Sequence, residues 1–427
     1  MIKFFKNFFY FISLILLIVI LLRLNHFEQI FSLKAHLYYK KYYLISLGIF
    51  IFGFLSNFIR KSIFLNLSLI FISILLCLYS FETILYFNEV LKRGEDKRSI
   101  KQVYKDQKVK FNNKKSISLP PAAFLDKHYD LLPLSQKSKT WIIECNELGY
   151  YSINKTDRYG FNNEDEIWDD KYDIIFIGDS FVYGFCVNRI NNMASITSKL
   201  TNQKILNLGM PANGFFLNYA SFKEFADKKN LNTIVWFVND MDYMNFTAEF
   251  NNPILNKYLS DPNFKQNLKN KTSNIDAIIN DLFNKRFGSI SFKKFARLQR
   301  TSTFIMFHLK FSKYDQKDFD KVKISDDLKI NLEKIFLNFN ENINSNTKVY
   351  IAHLPLKNKY IDRNYSGQFK ELTKEFSKKF NFQFIDLEKS YPTNKNPIFF
   401  YSKHFGHHNE LGYEIMSKYL ASIIKNR

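Results

Sequence analysis

The sequence predicts an α/β fold with a parallel sheet, preceded by three transmembrane helices, and three observations carry that reading. From residue 172 onward, short Ile- and Val-containing runs alternate with helix-like stretches, the rhythm of parallel strands joined by helical crossovers. The run Tyr172-Asp173-Ile174-Ile175-Phe176-Ile177 passes directly into Gly178-Asp179-Ser180, as a strand covered on both faces passes into a turn. Ser180 is thereby expected at the carboxyl edge of the sheet, where open α/β sheets bind their ligands. Within the first 87 residues lie three long apolar runs.

The chain has 427 residues, room for a membrane region and one large globular domain, and a formal net charge of +21. Its lysines are spread among Asn, Phe and Ile, with no Arg-rich stripe and no basic patch spaced by aromatic residues. No nucleic-acid partner is therefore expected. Three cysteines are too few for a disulfide scaffold.

Residues 4–22 are almost wholly apolar, with Lys3 and Lys6 at the start and Arg23 just beyond the end. Crossing a bilayer takes about 20 such residues. No small-residue cleavage site follows, so the run is read as an anchor rather than a signal peptide. Runs at 42–58 and 62–87, with Arg60 and Lys61 in the turn between them, complete the three expected spans. Three crossings put the two ends of the region on opposite sides. The Lys/Arg balance, taken literally, favours a cytoplasmic C-terminal domain, a vote weakened by a chain that is Lys-rich throughout. Residues 1–87 are thus expected as a membrane region and 88–120 as a charged juxtamembrane linker or an exposed helix. The globular domain is expected over 121–427, entered through Pro120 and Pro121.

Inside that domain, residues 141–147 and 149–153 read as short strands or extended pieces, and Tyr159-Gly160-Phe161-Asn162-Asn163 as a turn. After Ser180 a helix over 192–200 leads to a strand at 204–208 and a loop, Gly209 to Gly214. A helix over 217–229 leads to a strand at 233–238 that ends in Asn239-Asp240. Strands at 348–352 and 382–387 and helices at 368–380 and 410–425 complete the alternation. Residues 241–345 interrupt it and are read as an insertion placed to cap the site or contact the substrate.

Acyl transfer by a serine needs a nucleophile, a base and donors for the oxyanion. Candidates stand at successive strand ends: Ser180, the loop after Asn207, Asn239, and His407 in the tract Tyr401-Ser402-Lys403-His404-Phe405-Gly406-His407-His408-Asn409-Glu410-Leu411-Gly412. With the aromatic Gly-Phe-Asn segment upstream, these blocks resemble the SGNH (GDSL) hydrolase superfamily, and its membrane-anchored branch in particular. The resemblance runs from about Cys145 to the C-terminus and implies a flavodoxin-like three-layer α/β/α sandwich. It implies Ser180 as nucleophile and His407 as base, with an oxyanion hole formed by the N–H groups of Ser180 and Ala212 and the side-chain amide of Asn239. Asp179 and Asn409 are supporting members of the motifs. The chain departs from the pattern twice. Ala212 stands where the superfamily has glycine, and the positions that usually hold the base's aspartate are His404 and Phe405. His404, His407 and His408 also have the spacing of a metal site, but no Cys or carboxylate cluster lies beside them, and neither metal nor cofactor is expected.

The resemblance implies a membrane-anchored serine esterase that removes or transfers an ester-linked acyl group, acetyl for preference, on a carbohydrate or glycan. A membrane acyltransferase is the partner that transfer would require. The alternative is a degenerate fold of the same type that binds glycans or assists polysaccharide assembly. Cys77 falls in the third apolar run, leaving Cys145 and Cys186 outside the membrane, one before the Gly-Phe-Asn segment and one just beyond Ser180. They are either two buried thiols or a disulfide; the disulfide is the expectation, and it places the catalytic domain outside the cytoplasm, in the periplasm.

Overall fold

The computed structural model describes residues 2–26, 36, 39–92, 96, 98–107, 111, 114–226, 231–242, 248–287, 324–361, 365, 367–402 and 406–425. They fall into two compact units, one within Met1–Glu89 and the other within Val90–Ser289 and Asp315–Arg427.

The first unit holds helices α1 (Ile2–His26), α2 (Lys40–Leu55) and all but the last residues of α3 (Lys61–Lys92). Among the described residues two helices, over Ile2–Leu22 and Lys61–Ile84, are long and apolar enough to cross a membrane. The expected second span is not a third. At 16 residues α2 is about 24 Å long, short of the roughly 30 Å hydrocarbon core. The apolar run to Phe58 does not stay helical to its end: Ser56 caps the helix, and the Asn57 amide turns back to donate to the Phe54 carbonyl at 3.0 Å. The inference that the ends of this region lie on opposite faces rested on three crossings and falls with the third. α1 and α2 pack through the ring of Phe9 on Phe52 and through a reciprocal pair in which each of Ser13 and Ser46 donates to the other's carbonyl at 2.9 Å. Those bonds satisfy two hydroxyls in apolar surroundings.

Where a linker or an exposed helix was expected, the second unit begins with a helix and a strand. Helix α4 (Ile100–Asp106) is closed by a Ser99/Gln102 capping box, and β1 (Lys115–Ile117) pairs in parallel with β2 (Trp141–Ile143). β2 turns back into antiparallel β3 (Ile153–Lys155), completing a small sheet. The main sheet is built from β4 (Ile174–Ile177), β5 (Ile205–Asn207), β6 (Thr233–Val238), β7 (Lys348–His353) and β8 (Gln383–Asp386). Its spatial order is β5-β4-β6-β7-β8, and every pairing is parallel. That is the doubly wound order in which the chain reverses beside its first strand, so the end of β4 opens at the switch point.

Alternate residues of each strand face opposite cores, as the two-residue period of a strand requires. Ile174 and Phe176 join a cluster with Met193 of α6 (Met193–Thr201) and Met416 of α13 (Glu410–Lys425). Ile175 and Ile177 face the other side, covered by α7 (Phe215–Phe225), α8 (Pro253–Ser260), α9 (Thr272–Phe287), α10 (Asp326–Glu341) and α12 (Gln368–Lys379). Helices on both faces of one parallel sheet make three layers. The expected insertion supplies α8, α9 and α10, which build this core. Phe336 stacks on the fully buried Trp236 at 5.7 Å between ring centroids, and Phe339 meets it edge-on at 4.9 Å. Trp236→Ala would cost about 3–5 kcal/mol.

Candidate active site

β4 ends at Ile177, and the chain turns at once into the one-turn helix α5 (Ser180–Tyr183). Asp179 caps it by accepting the Phe181 N–H at 2.9 Å, which leaves Ser180 as the first helical residue, partly open to solvent above the sheet edge. The following loop is pressed against this helix. A Cβ at Gly209 would lie 2.5 Å from the Tyr183 backbone nitrogen, so only glycine fits there. Asn207 ties the two together, its amide donating to the Val182 carbonyl at 2.8 Å and its side-chain oxygen accepting the Gly209 N–H at 2.9 Å. Below them the Gly-Phe-Asn turn acts as a buttress, with Asn162 donating to the Tyr183 carbonyl at 2.9 Å and Asn163 to the Asn207 carbonyl at 3.0 Å.

His407 arrives from the far end of the chain. A bridge between Tyr401 and His408, the Ser402 N–H on the His407 carbonyl at 2.8 Å, and Asn409 capping α13 through the Gly412 N–H at 2.9 Å fix its backbone. Asn409 thus supports the loop rather than the chemistry. The His407 ring lies between Phe181 and Phe185, with centroids at 5.1 and 5.5 Å. Its Nε2 is 2.9 Å from Ser180 Oγ, and its Nδ1 is 2.8 Å from Glu147 Oε1. Glu147 cannot donate when ionised, so Nδ1 carries the hydrogen and Nε2 is left to accept from the serine hydroxyl.

Glu147 was not among the expected site residues. It lies in the loop between β2 and β3, 260 residues before His407. Its other oxygen accepts the buried Ser402 hydroxyl at 2.9 Å. Burial alone would push this carboxyl up, but the hydrogen bond and charge of His407, together with the Ser402 hydroxyl, outweigh it and hold Glu147 below its ordinary value. The tract before His407 offers no acid, and the carboxylate beside its Nδ1 comes from the hairpin loop of the small sheet. Lys357 adds a cation nearby, donating to the Ser402 carbonyl at 2.6 Å, with burial drawing its pKa down against the opposing charge of Glu147.

The expected oxyanion donors fall around the same strand ends. Ala212 adopts φ +60°, the left-handed conformation that glycine holds freely, so the departure from the pattern keeps the backbone shape. Asn239 follows β6, and its Nδ2 donates to Asp179 Oδ2 at 2.8 Å while its Oδ1 accepts the Met241 N–H at 2.8 Å. One amide hydrogen is used on Asp179, and the second is the one an oxyanion would take. Asp179 therefore links the helix that carries Ser180 to Asn239. Desolvation pushes the Asp179 carboxyl up against the Phe181 N–H and the Asn239 amide; Asp242 is driven well above its usual range by burial and then by the charge of Asp179. Glu249 closes the loop, accepting the Gly214 and Phe216 N–H groups at 2.6 and 2.9 Å, and burial raises it to about 8.

The three-histidine alternative does not assemble around one point. His408 is buried with its Nε2 2.8 Å from the Tyr391 hydroxyl while His407 faces Ser180, and His404 lies outside the described residues. Among the described residues, Cys145, Glu147 and Cys186 have donor atoms within 4.8 Å of one another. The two sulfurs, however, are bonded to each other, with Cα atoms 5.1 Å apart. A surface groove lined by Ile324, Leu372, Phe382 and Phe384 contains none of these residues.

No protein-family model matches the chain, and no curated protein matches it. Among solved structures it is similar to that of a protein described as lipolytic, of the G-D-S-L family, from Desulfitobacterium hafniense DCB-2. The likeness has a TM-score of 0.32 and 13% identity, over 59% of this chain and 99% of that one.

Proposed function

We propose that this chain is a membrane-anchored serine esterase of the SGNH type that removes or transfers an ester-linked acyl group, acetyl for preference, on a carbohydrate or glycan. The observation that carries the reading is the unbroken line from Glu147 through His407 to Ser180 at the switch point of the sheet. In the proposed reaction Ser180 Oγ attacks the acyl carbon as its proton passes to His407 Nε2, and the carbonyl electrons move onto oxygen. The N–H groups of Ser180 and Ala212 and the second amide hydrogen of Asn239 receive that oxyanion. Glu147 remains ionised and balances the imidazolium. As the tetrahedral species collapses, His407 returns the proton to the departing alcohol oxygen, leaving an acyl-Ser180. Water, or a sugar hydroxyl in the transfer reaction, then attacks with His407 again as base.

A degenerate, glycan-binding fold was motivated by the missing acid and by Ala212. Glu147 beside His407 and the glycine-like backbone of Ala212 both favour the enzyme. Two helices apolar enough to span a bilayer support anchoring, and the Cys145–Cys186 bond supports an extracytoplasmic, periplasmic domain. The test is hydrolysis of a chromogenic acetate ester by the full chain in detergent, beside Ser180→Ala. Activity that the substitution abolishes is expected, and equal rates would sink the reading. Acetylated oligosaccharides offered with and without an unacetylated acceptor then distinguish hydrolysis from transfer.

A further inference from the structure

We propose that the Cys145–Cys186 disulfide is the device that holds Glu147 against His407, so that turnover is under thiol–disulfide control. This rests on the esterase reading of Ser180, His407 and Glu147. Ser180 follows a strand of the five-stranded sheet, whereas Glu147 stands on a hairpin of the small sheet. Backbone bonds close that hairpin on itself, Glu144 N–H to the Ser152 carbonyl at 3.0 Å and Ser152 N–H to the Cys145 carbonyl at 3.1 Å. Its covalent tie to the nucleophile's segment is the disulfide, two residues before Glu147 and six after Ser180.

The Cys186 end has a conformation that needs holding. Its φ is +74°, a left-handed geometry that a residue with a side chain keeps only when its surroundings impose it. On Cys186 itself act the bond to Cys145 and its N–H directed at the buried Glu144 carboxylate at 3.4 Å, while the adjacent Val187 is held by its N–H on the Gly184 carbonyl at 3.3 Å and by the Asn154 amide on its own carbonyl at 3.0 Å. Cys186 Sγ is also 3.9 Å from His407 Nδ1, the nitrogen that donates to Glu147. The disulfide therefore abuts the His407–Glu147 contact on one side while anchoring the Glu147 hairpin on the other.

A dithiol reductant would pass two electrons and two protons to the bond, leaving two thiols here and a disulfide in the reductant. Cys145 is then free to withdraw and Cys186 to leave its left-handed geometry. Displacement of a catalytic group by about 1 Å costs on the order of a hundredfold in rate. The bond is thus a positioning element for Glu147, distinct in its consequences from a general staple of the fold.

The test follows chromogenic acetate hydrolysis by the full chain in detergent, before and after dithiothreitol, with thiols counted and circular dichroism recorded. The paired variant Cys145→Ala/Cys186→Ala is measured alone and in a Glu147→Gln background. The expected result is unchanged circular dichroism and a kcat lowered roughly 10- to 100-fold by reduction or by the paired variant. KM should stay within about threefold, and little should be lost further once Glu147 is Gln. Full activity after complete reduction overturns the proposal. So does an equal fold-loss in both backgrounds, or a loss of secondary structure together with activity, since each makes the bond a staple. Oxidised wild type no more active than Ser180→Ala would instead sink the esterase reading on which the proposal stands.

Discussion

Glu147 and His407 are 260 residues apart in the chain, yet the carboxylate oxygen of one lies 2.8 Å from the ring nitrogen of the other. The contact selects the tautomer that lets Nε2 take a proton from Ser180. Glu147→Gln should therefore lower kcat by roughly 10³- to 10⁴-fold with KM little moved, the loss expected when a serine triad's acid no longer selects the tautomer. Steady-state hydrolysis of an acetate ester checks this, and a kcat within a few-fold of wild type would remove Glu147 from the chemistry.

Asn239 offers one amide hydrogen to Asp179 and one to the proposed oxyanion. Asn239→Ala should cost about a hundredfold or more in kcat while leaving KM nearly unchanged, the size of one lost oxyanion donor. Unaltered turnover would mean that the amide serves only to hold Asp179.

Ala212 holds φ +60°, which costs an L residue on the order of 1 kcal/mol relative to glycine. Ala212→Gly should accordingly raise stability by up to about 1 kcal/mol, less the added backbone freedom of the unfolded chain, with activity retained. Chemical denaturation of the variant beside wild type measures this; a loss of stability would show that the Ala212 methyl is worth more than its strain.

Stability should fall as pH rises from 6.5 to 8.5. Burial, the leading cause in each, raises Glu144 to about 7 and Glu249 to about 8. The folded chain therefore keeps protons that the unfolded chain, with carboxyls near their ordinary values, has already released, and stability is lost as pH climbs through the folded values. Glu147 and Asp240 are shifted down, so their contribution changes only at acid pH. His408, buried and lowered to about 3, opposes the trend only below its unfolded value of roughly 6.5. Unfolding midpoints of the detergent-solubilised chain across this range decide it, and a midpoint that is flat or rising would contradict the burial of these carboxyls.

The main sheet was legible because its strands are continuous apolar runs and its switch-point turn is a recognisable tripeptide. Ser180 opens a helix and Asn239 follows a strand, where local pattern is strongest, and His407 stands out by its spacing to Asn409 and Gly412 just before α13. Glu147 was not legible. It sits in a polar hairpin loop with no periodicity, far in the chain from the residues before His407 where the motif places its acid. A signal was present all the same, since a bond between Cys145 and Cys186 brings Glu147, two residues from one cysteine, to the neighbourhood of Ser180, six residues from the other. The apolar run around α2 is longer than its helix because apolar residues continue to Phe58 while the helix stops at Leu55, where Ser56 and the Asn57 side chain turn the chain. The structural role of α10 was hidden for a different cause: its Phe336 and Phe339 face Trp236, and no local pattern names a partner so distant in the chain.

The central claim, that His407 makes Ser180 a nucleophile, is tested most directly by a fluorophosphonate, which needs no knowledge of the natural ester. Intact-mass and peptide mapping of the full chain in detergent should find one covalent adduct, on Ser180. The adduct should be absent in Ser180→Ala and form more slowly by a hundredfold or more in His407→Ala, within the range for a lost general base. No adduct on Ser180, or the same labelling rate with and without the His407 ring, would contradict the account.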